Sequence, residues 1–305
     1  MSEPERQHTV PACYLREFVD PKTPPNFEPY VWVFDKNGKN RKKKAPGNIL
    51  VSPNLYTITL RGDERDYSIE RTLSTIESDY AGILRQKIKN HLPLSESEHV
   101  SLCLFVATML QRTESQKKNL EQFIDELIEF GKKLEQHHGV RSKNVRELEK
   151  YRVNAHRLSI LDYLSDVTQL LFNMNVAFLF ADKRGSFFIT SDDPCTLFNP
   201  KLPRQGFWGP GLGQKDIEVI LPLSPKITLC LSWSNLQGYI ELKRAKIENI
   251  NRLTRASSFK LFISCSPKAK WIWFRKYPVD VFFMAKVVRN WIKTKLRRLS
   301  LNDGR

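Results

Sequence analysis

The spacing of the apolar residues changes near position 176, and this change most limits the folds open to the chain. Between residues 68 and 175 apolar residues recur every three or four positions, which is typical of amphipathic helices. After Val176 they alternate or form short runs bounded by Gly and Pro, which is typical of strands. The order of elements predicts an α+β fold: an N-terminal β-hairpin, a central helical bundle, a C-terminal, mostly antiparallel sheet and a final amphipathic helix.

The predicted helices lie mainly in the middle of the chain. One covers residues 68–90, and a second begins after the capping-box sequence at Ser95 and continues to about residue 136. That length predicts either a bend near Thr113 or two helices. Residues 143–175 form a third helical segment, and shorter helices are predicted over 11–18 and 245–256.

The predicted strands are short. Residues 31–34 and 49–60 are expected to pair as a hairpin with a basic loop at its tip, after the turn signal Asn37-Gly38. Further strands are predicted over residues 177–180, 186–190, 217–221, 227–233 and 259–264.

Residues 1–275 are expected to form a single α+β domain, with a sub-division near residue 176 as an alternative. Residues 276–305 are expected to carry a basic amphipathic helix over about 279–299. Its basic side is either a solvated face or a strip that lies along a phosphate backbone or an anionic membrane. The cations on that side are Lys286, Arg289, Lys293 and Arg297.

The charge of the chain indicates an anionic partner. There are 49 Lys and Arg residues against 33 Asp and Glu residues, a formal net charge of +16, which favours polyanions through counterion release. Nucleic acid is the expected partner, and an anionic membrane surface is the alternative. A cation cluster between residues 36 and 44 is predicted either to contact phosphate or to be a solvated turn; its candidate contacts are Arg41, Lys42, Lys43 and Lys44.

Several classes of protein are disfavoured by what the sequence contains. It has no run of about 18 apolar residues that would predict a transmembrane helix, and its N-terminus lacks an apolar signal core. The five scattered cysteines predict reduced thiols rather than a disulfide framework or a zinc site. A cytoplasmic location is therefore expected. The motifs of P-loop hydrolases, serine hydrolases and zinc fingers do not occur.

The helical phase of residues 69–88 places carboxylates at an apolar stripe. At 100° per residue Glu77 falls about 80° from Ile69, between Leu84 and Ile88, and Glu70 falls at about 100°. A carboxylate buried in this way needs a partner, because an unpaired charge is costly away from water.

Arg112 is the expected partner of Glu77. It follows an almost wholly apolar block of the next helix, and the adjacent Gln111 continues the apolar face. Arginine can bind a carboxylate through two parallel hydrogen bonds. The pair then either fixes how two helices pack or belongs to a functional site.

Two other places carry polar groups of functional type. The run 187–194 ends an apolar strand in Thr-Ser-Asp-Asp-Pro, where Asp192 or Asp193 points into a site or the segment is a strand-ending Asx turn. His8, near the N-terminus, is the remaining candidate. The pattern Glu241-x-Lys243 after the aspartates weakly matches restriction-type nucleases, in which carboxylates hold a metal.

The short motifs occur in an order that is more specific than any one of them. They are His8-Thr9-Val10-Pro11, Tyr14-Leu15-Arg16-Glu17-Phe18, Phe34-Asp35-Lys36, Leu55-Tyr56-Thr57, Ile69-Glu70, Ile76-Glu77, Gln111-Arg112, Ile189-Thr190-Ser191-Asp192-Asp193-Pro194, Leu221-Pro222-Leu223-Ser224-Pro225 and Asn251-Arg252-Leu253. Together, over residues 7–265, they resemble the bacterial domain-of-unknown-function family 4238. That family commonly has arginine and asparagine where Ala12 and Asp193 stand, so Asp192 is the better candidate. The resemblance implies a bacterial accessory protein, associated in some members with anti-phage defence, and it implies no settled biochemistry.

We expect an effector that acts on nucleic acid, most simply a nuclease of RNA or DNA in anti-phage defence. Its expected catalytic residues are His8, Glu77, Gln111, Arg112 and Asp192. Glu77 and Asp192 would hold a divalent metal (Mg or Mn) or act as general base, His8 would act as acid or base, and Arg112 with Gln111 would bind phosphate. The alternatives are a non-enzymatic module that binds nucleic acid or protein, and a peripheral membrane toxin that uses the C-terminal helix. The oligomeric state is left open by the sequence.

Overall fold

A computed structural model describes residues 6–59, 65–139, 143–181, 185–199 and 211–275 of the 305-residue chain. The fold is α+β, as the sequence predicts, with helices in the middle of the chain and mostly antiparallel sheets on both sides. The α-helices of the described residues are α1 (Ala12–Leu15), α2 (Ser68–Gln86), α3 (Glu96–Gln111), α4 (Glu114–His138), α5 (Lys143–Arg152), α6 (Ala155–Asp162), α7 (Leu164–Phe172) and α8 (Arg244–Ser257). The strands are β1 (Arg6–His8), β2 (Val31–Asp35), β3 (Lys42–Lys44), β4 (Val51–Pro53), β5 (Ile58–Thr59), β6 (Arg65–Asp66), β7 (Asn175–Ala181), β8 (Thr190–Ser191), β9 (Thr196–Phe198), β10 (Glu218–Ser224), β11 (Ile227–Ser232), β12 (Gly238–Leu242) and β13 (Leu261–Ser264).

The central helices begin and end where local chemistry directs. Ser95 accepts a hydrogen bond from the Glu98 backbone N–H, and the Glu98 carboxylate accepts one from the Ser95 N–H, so the predicted capping box is formed. Of the two alternatives predicted near Thr113, the structure has two helices, α3 and α4, and the Thr113 hydroxyl caps α4 by accepting from the Gln116 N–H. The third predicted segment is divided into α5, α6 and α7.

A five-stranded sheet forms the base on which the helices pack. Its strand order is β12-β7-β11-β10-β9; β12 runs parallel to β7, and the other neighbours are antiparallel. One face contributes to the largest apolar cluster together with α1, α2, α3 and α7, and α8 covers the other face. The sheet therefore separates the helical bundle from α8.

A second sheet joins the two ends of the chain. Its order is β3-β2-β13-β8, and β13 pairs antiparallel with β2 from Leu261↔Asp35 to Ser264↔Trp32. The Tyr14 hydroxyl links the two sheets, since it lies 2.6 Å from the Thr190 hydroxyl of β8 and donates to the Pro222 carbonyl of β10, also at 2.6 Å.

The N-terminal hairpin differs from its prediction. The partner of β2 is β3, the lysine run itself, so these lysines form an edge strand and not a loop at a hairpin tip. Three consecutive lysines are compatible with a strand here because they are exposed at the sheet edge, where cations discourage pairing with another chain. Residues 51–53, which were assigned to the hairpin, pair instead with β1.

The predicted strand over residues 186–190 is reduced to the two residues of β8. The amide of Asn251 explains why, because its side-chain oxygen accepts from the Ile189 N–H at 2.9 Å and its nitrogen donates to the Phe187 carbonyl at 2.7 Å. A buried side chain of α8 thus takes the place of a neighbouring strand. The predicted strands at 177–180, 217–221, 227–233 and 259–264 are confirmed with shifted ends, and β9 and β12 were not predicted.

The predicted C-terminal helix over 279–299 lies outside the described residues. Among the residues that the structure describes, no helix combines the length and the apolar character needed to cross a bilayer.

Candidate functional site

Arg112 is a buried cation at the junction of α3 and α4. It directly follows the last residue of α3 and precedes the residue that caps α4, and its backbone (φ −86°, ψ 1°) breaks the helix there. Only 2% of the residue is exposed. The helix break therefore turns a guanidinium into the interior, where it must find acceptors.

Glu77 and the N-terminal strand supply those acceptors. Arg112 Nη1 donates to Glu77 Oε1 at 2.7 Å, which confirms the predicted contact between α2 and the end of α3. Arg112 Nη2 donates to the backbone carbonyl of His8 in β1. Burial lowers the pKa of Arg112, but Tyr56 and Glu77 outweigh it and raise the pKa, so the guanidinium stays charged.

The Tyr56 ring packs against the Arg112 guanidinium. Its ring centroid lies 5.5 Å from the Arg112 guanidinium carbon, and its hydroxyl donates to the carbonyl of His8 at 3.2 Å and to that of Arg112 at 3.4 Å. The buried Gln7 fixes the backbone at Tyr56 and Thr57. Its side-chain nitrogen donates to the Thr57 hydroxyl at 3.1 Å, and its side-chain oxygen accepts from the Tyr56 N–H. We call Arg112, Glu77, Glu70, His8 and Tyr56 the arginine cluster.

Two titratable groups of the arginine cluster have opposite pKa shifts. Burial raises the pKa of Glu70, against the effect of Arg112, and one of its carboxylate oxygens has no hydrogen-bond partner within the described residues. Burial lowers the pKa of His8, whose Nε2 lies 3.3 Å from the Gly47 carbonyl. A carboxyl with a raised pKa and an imidazole with a lowered pKa therefore lie near one fixed cation.

Cys13 also borders the cluster, with its sulfur 3.9 Å from Glu77 Oε2. Burial raises its pKa to about 12, so the group is a thiol at neutral pH and unsuited to act as a nucleophile.

Gln111 faces away from Arg112. With its amide nitrogen toward α6, it donates to the carbonyls of Ser159 at 2.9 Å and Ile160 at 3.2 Å. The backbone carbonyl of Gln111 lies 3.0 Å from His156 Nε2, a contact that the sequence did not predict. The expected role of Gln111 in phosphate binding finds no support in this geometry, because the side chain is used to hold α6.

The Asp192 carboxylate also has a structural role. Its carboxylate accepts three backbone hydrogen bonds, from Phe259 at 2.8 Å, Lys260 at 2.7 Å and Leu261 at 3.0 Å, and so fixes the start of β13. Its neighbour Asp193, which the family resemblance disfavoured, accepts instead from the Ser115 hydroxyl in the first turn of α4 at 2.5 Å. Burial raises the pKa of Asp193 to about 6.

The residues do not fit the divalent metal expected at Glu77 and Asp192. The Glu77 carboxylate is bound to Arg112 and the Asp192 carboxylate to three N–H groups, so they share no contact through which both would ligate one ion. Within the described ranges, no three His, Cys, Asp or Glu side chains are grouped as metal ligands. Glu241, of the weak Glu-x-Lys match, is exposed on the strand β12, which lies at the edge of the five-stranded sheet.

A second feature is a surface of aromatic and cationic side chains on β2 and β3, which we call the basic-aromatic surface (Tyr30, Trp32, Arg41 and Lys43). Lys43 lies opposite Trp32 in the strand register, with Nζ 4.5 Å from the Tyr30 ring centroid and 5.2 Å from that of Trp32. The Arg41 guanidinium carbon lies 5.0 Å from the Trp32 ring centroid. Lys42 and Lys44 extend from the other side of the same exposed strand.

The basic-aromatic surface leads toward the arginine cluster. Lys44, the last residue of β3, precedes Gly47 by three residues, and the Gly47 carbonyl is the one that contacts His8. The other predicted cations, Lys286, Arg289, Lys293 and Arg297, lie outside the described residues.

Comparison with known proteins identifies one match. A family model described as "Protein of unknown function (DUF4238)" matches residues 6–268, which include the arginine cluster and the basic-aromatic surface. Neither a curated protein nor a solved structure matches the chain.

Replacing Arg112 by leucine is expected to lower the free energy of unfolding by about 3–5 kcal/mol, because it leaves the Glu77 carboxylate without its cation and the His8 carbonyl with the Tyr56 hydroxyl as its remaining donor. Arg152→Leu is the matched control: Arg152 makes two hydrogen bonds to Asp125 at the surface, where such a pair contributes about 0–1 kcal/mol. Urea denaturation compares the two variants. Equal losses in the free energy of unfolding would mean that the buried Arg112–Glu77 pair stabilises the fold no more than a surface ion pair does.

His156 predicts a pH dependence of stability. Burial lowers its pKa to about 4, below the value of about 6.5 in the unfolded chain, so between these values the unfolded state binds more protons. The contribution of His156 to stability should therefore fall by about 2–3 kcal/mol as the pH drops from 6.5 to 4. His156→Gln, measured by urea denaturation across this range, should flatten that part of the profile; an unchanged profile would assign the effect to other groups.

Proposed function

We propose that this chain, which belongs to the family of proteins of unknown function DUF4238, binds single-stranded nucleic acid along β3. The observation that carries the proposal is the basic-aromatic surface, where Lys43 of the edge strand β3 and the preceding Arg41 lie over partly exposed aromatic rings at β2. Proteins that bind single strands combine these two chemistries, since bases stack on aromatic rings while cations contact the phosphates.

The charge distribution supports the same function. The chain carries a net charge of +16, and all three residues of β3 are exposed lysines. Phosphate contacts from Lys42, Lys43 and Lys44 would be largely independent of sequence and would weaken with added salt. The Trp32 indole is held in place because its N–H donates to Asp20 Oδ2 at 2.7 Å, so the ring is fixed before a base arrives.

Binding is tested with Arg41→Gln/Lys43→Gln and a fluorescently labelled single-stranded RNA of about 12 nucleotides. Because the variant loses two phosphate contacts, its affinity near 150 mM salt should fall by at least about tenfold, and the slope of log Kd against log salt should decrease by about 1.4. Fluorescence anisotropy measures both quantities.

The matched control is Lys132→Gln/Lys133→Gln, which removes two exposed cations of α4 and leaves β3 unchanged. Binding by the wild type that is lost equally in both variants would indicate a response to net charge and would contradict the assignment to β3. Absence of binding by the wild type would contradict the function itself.

A nuclease activity is the second candidate, and the opposite pKa shifts in the arginine cluster favour it. Glu70, with a raised pKa, is suited to protonate a leaving oxygen, and His8, with a lowered pKa, is suited to accept a proton. Cleavage of RNA needs one group of each kind: the 2′-hydroxyl would give its proton to His8 as its oxygen attacks the adjacent phosphorus, and the 5′-oxygen would leave with the proton of Glu70. No metal takes part in that step.

Cleavage of RNA by the purified chain in the presence of EDTA is the expected result, with single-stranded DNA left intact because it lacks the 2′-hydroxyl. Glu70→Gln, which cannot donate the proton but preserves size, should lose the activity while RNA binding is retained. Activity that persists in Glu70→Gln would remove Glu70 as the acid, and cleavage that requires Mg²⁺ would contradict the mechanism.

A further inference from the structure

Helix α4 carries two apolar stripes, of which only one faces the protein core. Ile124 and Ile128 are buried in a cluster with Val145 of α5 and Ala155 of α6. The second stripe lies to one side of the first. It consists of Phe123, which is partly buried, and of Leu127, Phe130 and Leu134, which are 37%, 62% and 44% exposed, whereas Leu120 packs against the buried cluster. Exposed apolar residues in a continuous row are unusual for a monomer.

The spacing of the second stripe is that of a coiled coil. Its members follow one another at intervals of four, three and four residues, which are the a and d positions of a heptad repeat. From residue 123 to residue 134 the stripe extends over about 17 Å of helix. A stripe with this period fits a second helix that lies alongside α4.

The charged residues beside the second stripe indicate which helix could lie alongside α4. On the side away from α5, the positions next to the stripe are occupied by Glu126 and Lys133, seven residues apart. If two copies of α4 pair antiparallel, Leu127 lies opposite Phe130 of the second copy, and Glu126 lies beside its Lys133. The two-fold axis repeats both contacts, so the stripe is complementary to itself.

A parallel arrangement lacks this complementarity. In parallel pairs the position of Glu126 faces the position occupied by Gly131, which packs against Val145 within the same chain. The acidic residues Asp125, Glu126 and Glu129 near the stripe also make an anionic membrane an unfavourable partner.

We propose that α4 pairs antiparallel with α4 of a second copy of the chain and forms a homodimer. The Lys133 side chain is 68% exposed, and its ion pair with Glu129 at 2.7 Å is of the surface kind that exchanges at little cost. The contact area of one helix pair is small, so the dimer should dissociate in the micromolar range.

The test is the mass of the full chain in solution, measured by sedimentation equilibrium from roughly 1 to 100 µM. The mass should rise from 35.6 kDa toward twice that value. Phe130→Asp should weaken the dimer by at least about tenfold. Leu170→Asp is the matched control, since Leu170 is 39% exposed on α7, and it should leave the dimer unchanged.

The charge pair tests the orientation of the helices. Glu126→Lys and Lys133→Glu should each weaken the dimer, because each places like charges side by side, and the double variant should restore it. A monomer throughout the range, or a dimer that survives Phe130→Asp, would overturn the proposal. A monomer that unfolds at a lower temperature after Phe130→Asp would show that the stripe is covered within one chain, and a double variant that fails to recover would overturn the antiparallel register.

Discussion

The enclosed charge of Arg112 is the constraint on which the surrounding structure depends. A guanidinium removed from water is tolerated only where acceptors and an opposite charge are already in place. Here they come from three separate parts of the chain: a carboxylate of α2, a carbonyl of β1 and the ring of Tyr56. Each of these parts must therefore be positioned before the arginine can be buried, which couples the N-terminal strand to the helical bundle. The same coupling sets the surroundings of Glu70 and His8, so stability and any proton transfer in the cluster depend on one side chain.

The strong positive charge of the chain is unevenly distributed over the described residues. Cations are concentrated on β3, where they lie beside aromatic rings, whereas the middle of α4 carries several carboxylates between residues 121 and 129. Two surfaces of opposite character can serve different partners without competing, since a polyanion is attracted to one and repelled by the other. A net charge alone would not distinguish these surfaces.

Periodicity in the sequence was sufficient to predict the central helical segments and the pairing of Glu77 with Arg112, because helical phase fixes which side chains share a face. The break at Thr113 was predicted from the length of the second segment. It was insufficient wherever a distant side chain replaced a backbone partner. Asn251 occupies the place of a strand beside residues 187–189, and Asp192 binds the backbone of residues 259–261, although both lie far away in sequence. A metal was expected because Glu77 and Asp192 are carboxylates. Whether they are available as metal ligands depends on the hydrogen bonds that they already accept. Helical phase placed Glu70 at the edge of the apolar stripe, but it did not predict that one of its carboxylate oxygens has no hydrogen-bond partner within the described residues.

The pairing of β2 with β13 has a consequence for the nascent chain. Strand β2 leaves the ribosome early, but the strand that covers its inner edge, β13, is synthesised roughly 230 residues later. At about 5–20 residues per second this interval lasts roughly 10–50 s. During that time the edge of β2 opposite β3 must remain unpaired or associate with something else, although β2 carries the large aromatic side chains of Trp32 and Phe34. Translation speed and chaperone access over residues 36–260 are therefore expected to influence how much of the protein reaches its native sheet.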